Sequence, residues 1–94
     1  MIVLKVDMLV KPGTEAKCLE YIRILQQHSR QEPGCQRFEV YHSHTDRRVF
    51  LLCERWESSE ALDVHRTAKA YSEIYKPKVL PRVTRVPHPS DLVE

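Results

Sequence analysis

The sequence predicts an α+β fold of the ferredoxin-like kind, with elements in the order β-α-β-β-α-β. Three observations carry this expectation. Apolar residues alternate with a period of two in residues 2–11, 35–42 and 49–57, and more weakly in 79–86, which marks strands. Between the first two of these segments the period changes to 3.6, the mark of an amphipathic helix. A second helical stretch with a serine at its start separates the last two. Ninety-four residues suit one domain, expected to span residues 1–94.

In the first strand Ile2, Leu4, Val6, Met8 and Val10 fall on one face, and Val3, Lys5, Asp7, Leu9 and Lys11 on the other. Pro12-Gly13 is a turn signal. Thr14 is placed to cap a helix whose first turn holds Glu15, where the helix dipole favours an anion. From Glu15 to Arg30 the stripe Cys18, Tyr21, Ile22, Leu25 and Ser29 faces inward, opposite Glu20, Arg23, Gln27 and Arg30. Glu32-Pro33-Gly34 ends the helix, with Gly34 suited to a left-handed cap. Residues 35–42 form the second strand, and His42 to Arg48 the hairpin loop. In the third strand, Val49 to Glu57, the residues Phe50, Leu52, Glu54 and Trp56 share a face. Ser58 caps a helix running from Ser59 through His65. A second helical piece, Ala68 to Lys76, is expected to be interrupted at Lys76-Pro77. Residues 79–86 form the last strand, which Pro81 confines to an edge or to a strand start. The tail PHPSDLVE is read as irregular.

Two helices cover one face of a four-stranded sheet. The other face is partly apolar through Val3, Leu9, Tyr41, Leu51 and Cys53. A second copy of the same face is the simplest cover, which predicts a two-fold homodimer.

Charge and composition exclude several classes. The 15 basic and 13 acidic residues are interspersed, without the clustered basic face that nucleic acid requires. The N-terminus lacks a basic segment followed by a long apolar run, so no signal peptide is expected. No stretch approaches the length of a membrane span. Cys18, Cys35 and Cys53 are odd in number and lack C-x-x-C spacing, which points to free thiols in a reducing cytoplasm. With Gly13 and Gly34 as the only glycines, a phosphate-cradling loop and a dinucleotide fold are excluded. His42-Ser43-His44 would put two imidazoles on one side of a continued strand. No acidic or cysteine partner lies nearby at metal-ligand spacing, so no metal site is expected.

His65 is the leading candidate for chemistry. It shares the inward helix face with Ala61 and Leu62, and an imidazole titrates near neutral pH. It serves either as a base or as a core histidine donating to a carbonyl. Glu54, between Leu52 and Trp56, is expected to be partly buried, and burial raises a carboxyl pKa. It would orient His65, act as an acid or pair with a basic neighbour. Trp56 could wall an aromatic pocket or fill the core. Tyr71, across a break between helical pieces, could bond a substrate oxygen or pack in the core.

The segment ERWESSEALDVH followed by Tyr71, with PGTEA near the start and EPGCQRFEVY in the middle, resembles the antibiotic biosynthesis monooxygenase family, in particular its quinol-monooxygenase-like members. The resemblance covers nearly the whole chain. It implies a dimeric α/β barrel with a pocket between sheet and helices. It also implies a cofactor-independent reaction, with no metal and no flavin, in which a deprotonated small aromatic or enolisable substrate supplies electrons to dioxygen. His65 would be base or hydrogen-bond partner, and Tyr71 and Glu54 would orient the substrate. Relatives also include an enzyme that processes a phosphorylated quorum signal, so an isomerase or tautomerase of a small keto sugar is an alternative, as is a non-catalytic binding module. Many relatives place Thr-Pro-His where this chain has Ala68, Lys69 and Ala70, so a second imidazole is absent. Haem-degrading relatives carry tryptophan at the place of His65 and histidine at that of Tyr75, a pattern this chain does not share.

Overall fold

The computed structural model describes residues 1–94. Four strands form one antiparallel sheet: β1 (Ile2–Val10), β2 (Cys35–His42), β3 (Val49–Trp56) and β4 (Val83–Ser90), in the order β2-β3-β1-β4. Helices α1 (Glu15–Ser29) and α2 (Ser59–Thr67), with a π-helix at Ala70–Val79, lie between them in the chain. The fold is the expected ferredoxin-like βαββαβ arrangement.

The period-two pattern sets which face is covered. Leu4, Val6, Met8 and Val10 of β1, and Phe50, Leu52, Glu54 and Trp56 of β3, are all buried. Register pairs Leu4 with Glu54 and Val6 with Leu52, so the two rows meet side by side. From α1, Cys18, Ile22, Leu25 and Ser29 are buried against them. Trp56 and Phe38 are 0% and 1% exposed and meet edge to face, with centroids 6.4 Å apart. The opposite face is open. Leu9, Tyr41 and Leu51 there are 40%, 53% and 41% exposed.

Two proline–glycine turns frame α1. In each the fourth amide bonds the first carbonyl: Thr14 to Lys11 at 3.2 Å and Cys35 to Glu32 at 3.1 Å. Gly13 and Gly34 have φ of +85° and +80°, the third-position requirement of a type II turn. Gly34 therefore shapes a turn beyond the helix, not the helix cap itself. The Thr14 side chain does not cap α1 either. Its hydroxyl donates to the Lys11 carbonyl, while Glu15 accepts from the Gly13 amide. Ser58 does cap α2, its hydroxyl oxygen accepting from the Ala61 amide at 3.2 Å.

The C-terminal third departs from expectation twice. Pro77 does not interrupt its helix. It lacks the amide a helical ladder uses, but the Leu80 amide reaches back five residues to the Tyr75 carbonyl, so the widened ladder bridges the proline. A 3-10 turn at Leu80–Arg82 then holds Pro81, and β4 starts at Val83 and continues to Ser90. The segment PHPS is thus strand, not irregular tail. Pro87 and Pro89 are register partners of Val6 and Leu4 and have the same parity on an edge strand. Their nitrogens both face away from β1, where no donor is needed.

Candidate active site

The site lies between the sheet and the helices, and its position follows from the turn at 32–35. Gly34 packs so closely on the start of α2 that a Cβ there would sit 2.6 Å from the Ala61 Cβ. The Gly34 carbonyl also accepts from the Glu57 amide at 2.8 Å. This docking brings Glu32 against the inward face of α2, where His65 projects one turn beyond Ala61. His65 Nδ1 and Glu32 Oε1 are 2.5 Å apart, with side chains 5% and 13% exposed. A carboxylate only accepts, so in the neutral ring Nδ1 carries the proton and Nε2 keeps its lone pair. That is the arrangement of a base held in one tautomer by a carboxylate.

Around His65 the rings are packed closely. Trp56 lies 4.5 Å away between centroids, and Tyr71 meets it edge-on at 5.5 Å. A small cavity of about 30 Å³ opens beside them. Its apolar walls are Leu4, Leu25, Phe38, Leu52 and Leu62, and its polar ones Glu54, His65, Arg66, Tyr71, Tyr75 and Arg85. The space holds a water molecule but no aromatic ring, so a ligand must displace wall residues. Arg66, Tyr71 and Arg85, which are partly or fully exposed, form the outer part of the wall.

Glu54 is 4% exposed. Burial pushes its carboxyl above the usual carboxylate range, while the Trp56 hydrogen bond and the nearby His65, Arg85 and Arg66 charges pull the other way. Its Oε1 accepts from the Trp56 Nε1 at 3.0 Å. Tyr75 is pushed up to about 12, chiefly by burial, and remains a phenol. The Arg85 guanidinium lies over the Tyr75 ring at 5.6 Å, and its Nε is buried with no hydrogen-bond partner.

The structure brings His65, Glu54 and Tyr71 of the sequence-named set to one cavity. Trp56 is not in its lining; it stands behind, tilted against His65 and bonded to Glu54. Glu32, not Glu54, orients the imidazole. Glu32, Arg85 and Arg66 were not legible as site residues. The only sequence signal for Glu32 was the proline–glycine turn that follows it. His42 and His44 do not form a site: His42 Nε2 donates to the Arg47 carbonyl, and no three His, Cys, Asp or Glu side chains are grouped to hold a metal ion.

Comparison with known proteins gives the family and the fold. YcnE of Bacillus subtilis (strain 168) is 31% identical over 65 residues, covering 69% of this chain and 68% of that protein. The structure superposes on an antibiotic biosynthesis monooxygenase family structure from Nitrosomonas europaea with a TM-score of 0.92, at 23% identity over 100% of both chains. A conserved protein of Bacteroides thetaiotaomicron gives 0.88 at 25% identity, over 97% of this chain and 96% of that one. The Nitrosomonas likeness speaks for the fold alone. The family model described as antibiotic biosynthesis monooxygenase matches residues 1–77, which takes in β1 to β3, α1, α2 and most of the π-helix, and on that match the chain belongs to the antibiotic biosynthesis monooxygenase family.

Proposed function

We propose that this protein is a cofactor-independent monooxygenase acting on a small, electron-rich quinol-like or polyketide-like aromatic. The observation that carries the reading is the buried His65–Glu32 pair, with Nε2 left free beside an aromatic-lined cavity. Nε2 takes a proton from the substrate phenol or enol, and Glu32 balances the charge on the ring. Glu54, whose carboxyl burial raises, helps to orient the substrate. Tyr71 and the unpartnered Arg85 Nε bind and orient the anion so formed. For a methylene flanked by aromatic rings, one atom of dioxygen becomes the new carbonyl oxygen. The other leaves as water with the two hydrogens of that carbon, and the substrate supplies all four electrons. Enclosure by five apolar side chains keeps bulk water from the carbanion.

The working form is a homodimer joined through the open sheet face, with Leu9, Tyr41 and Leu51 at its centre, completing a dimeric α/β barrel. No helix is long and apolar enough to cross a membrane, and the three free cysteines fit a cytoplasmic setting. Residues 1–94 act as one domain.

A second reading is favoured by Glu54. A buried carboxyl with a raised pKa, facing the same cavity as a free imidazole nitrogen, suits proton shuttling, as in an isomerase or tautomerase of a small keto compound. Reaction under isotopically labelled dioxygen separates the two. One labelled oxygen in the product supports the oxygenase. Turnover without oxygen consumption supports the isomerase and removes the first reading.

A further inference from the structure

The open face of the sheet carries a side-chain pair that the cavity does not use. Lys5 on β1 and Cys53 on β3 are register partners, so their side chains leave the sheet side by side. Lys5 Nζ lies 2.7 Å from Cys53 Sγ. That separation is at the short end even for N–H···O bonds, and sulfur is the larger atom, so an ordinary N–H···S contact is longer. An oxygen atom bonded to both nitrogen and sulfur spans such a gap with single bonds of normal length. The other thiols are placed differently. Cys18 and Cys35 are each pushed up to about 11, mainly by burial, which leaves them little thiolate character. Lys5 and Cys53 instead share a cleft on the open face with Asp7, Glu39 and Tyr41.

We propose that Lys5 and Cys53 are a redox modification site, closing to a nitrogen–oxygen–sulfur bridge with dioxygen as oxidant. The Lys5 ammonium first loses a proton, for which the carboxylates of Asp7 and Glu39 in the same cleft are acceptors. The amine and the thiol then give up one hydrogen each. One atom of dioxygen becomes the bridging atom, bonded to Nζ and Sγ, and the other leaves as water with those two hydrogens. Nitrogen and sulfur each lose two electrons, and the four electrons reduce the two oxygen atoms. Two equivalents of a dithiol supply four hydrogens and return the amine, the thiol and one water. Dioxygen is small and neutral, and the cleft that Lys5 and Cys53 line gives it a path to the pair in the single chain. The bridge ties β1 to β3 and removes the Lys5 charge from the surface on which the second copy packs. None of this depends on the chemistry of the cavity.

The test is intact-mass measurement of the full chain after incubation in oxygen-saturated buffer, before and after dithiothreitol. The expected species is about 14 Da heavier, one oxygen gained and two hydrogens lost, and reverts on reduction. Peptide mapping should join the peptide holding Lys5 to the peptide holding Cys53. Lys5→Arg and Cys53→Ser should both lack the species. An unmodified wild type overturns the proposal. So does a wild type that only adds whole oxygen atoms to Cys53, as sulfenic or sulfinic acid, to the same extent as Lys5→Arg. The peptide map of the wild type decides the matter even if a variant folds poorly.

Discussion

Replacing Glu32 with alanine should destabilise the folded protein by about 1.5–3 kcal/mol, the range for a hydrogen bond to a charged group. The magnitude rests on the geometry. Glu32 Oε1 is 2.5 Å from His65 Nδ1, and the two side chains are 13% and 5% exposed. Water therefore does little to replace the bond when the carboxylate is removed, and the Nδ1–H is left buried without a partner. A surface ion pair, by contrast, contributes about 0–1 kcal/mol. Glu32→Gln keeps an oxygen that can accept from Nδ1–H but loses the charge, so it should lose only about 1 kcal/mol. The assay is urea denaturation at neutral pH and one fixed protein concentration, because dimer stability depends on concentration. With a slope of about 1 kcal/mol per molar urea, the low end for a small protein, the alanine midpoint should fall by about 1.5–3 M. A loss within about 0.5 kcal/mol, the range of an ordinary surface substitution, would refute the reasoning. So would a glutamine variant as weak as the alanine one.

Three further outcomes follow from particular residues. Burial raises the Glu54 carboxyl, so the folded chain holds a proton that the unfolded chain has already lost. Wild-type stability should fall as pH rises from the ordinary carboxylate range to the raised pKa of Glu54, then level off. Glu54→Gln should lack that fall in denaturation profiles between acidic and neutral pH, and parallel profiles would contradict the assignment. Gly34→Ala should cost about 1–3 kcal/mol or more, because φ is +80° and the new Cβ meets Ala61 at 2.6 Å. Gly13→Ala, with φ of +85° and nothing within 4 Å, should cost only about 1 kcal/mol; equal midpoints in urea would remove the claimed close approach. Leu51→Glu places a charge on an open face whose Leu51 is 41% exposed. It should weaken dimerisation at least tenfold, about 1.4 kcal/mol, in sedimentation equilibrium, and a wild type that stays monomeric would contradict the proposed interface.

The first three strands were legible because each has one covered face, and one covered face writes a period of two into the sequence. Glu54 and Trp56 could be placed together on β3 for the same reason. What escaped depends on contacts between distant segments. Glu32 and His65 are 33 residues apart, and nothing local to either names the other; the type II turn at 32–35 and its docking on Ala61 bring them together. Arg85 falls inside both the expected strand, 79–86, and the observed one, Val83–Ser90, but nothing in the pattern marks it as facing the cavity. That pattern, VTRVPHPS, lacks alternation, since the strand lies at an edge and its pairing with β1, rather than burial, holds it in place. Pro77 was read as a helix breaker because the rule assumes an α ladder, whereas here bonds five residues long pass over it. Such widened turns recur at functional sites, and this one carries Tyr71 and Tyr75 to the cavity wall.

The cavity, about 30 Å³, has room for a water molecule but not for a ring, so the wall must open before His65 meets a substrate. His65 takes the substrate proton in the first step proposed for that site. The most direct test is dioxygen uptake with a panel of hydroquinones and anthrones, comparing wild type with His65→Ala at matched folded concentration. Enzyme-dependent uptake whose kcat/KM falls at least tenfold in the variant, about 1.4 kcal/mol of transition-state stabilisation, is the predicted result. Uptake unchanged by loss of the imidazole, or no uptake with any compound, would contradict it.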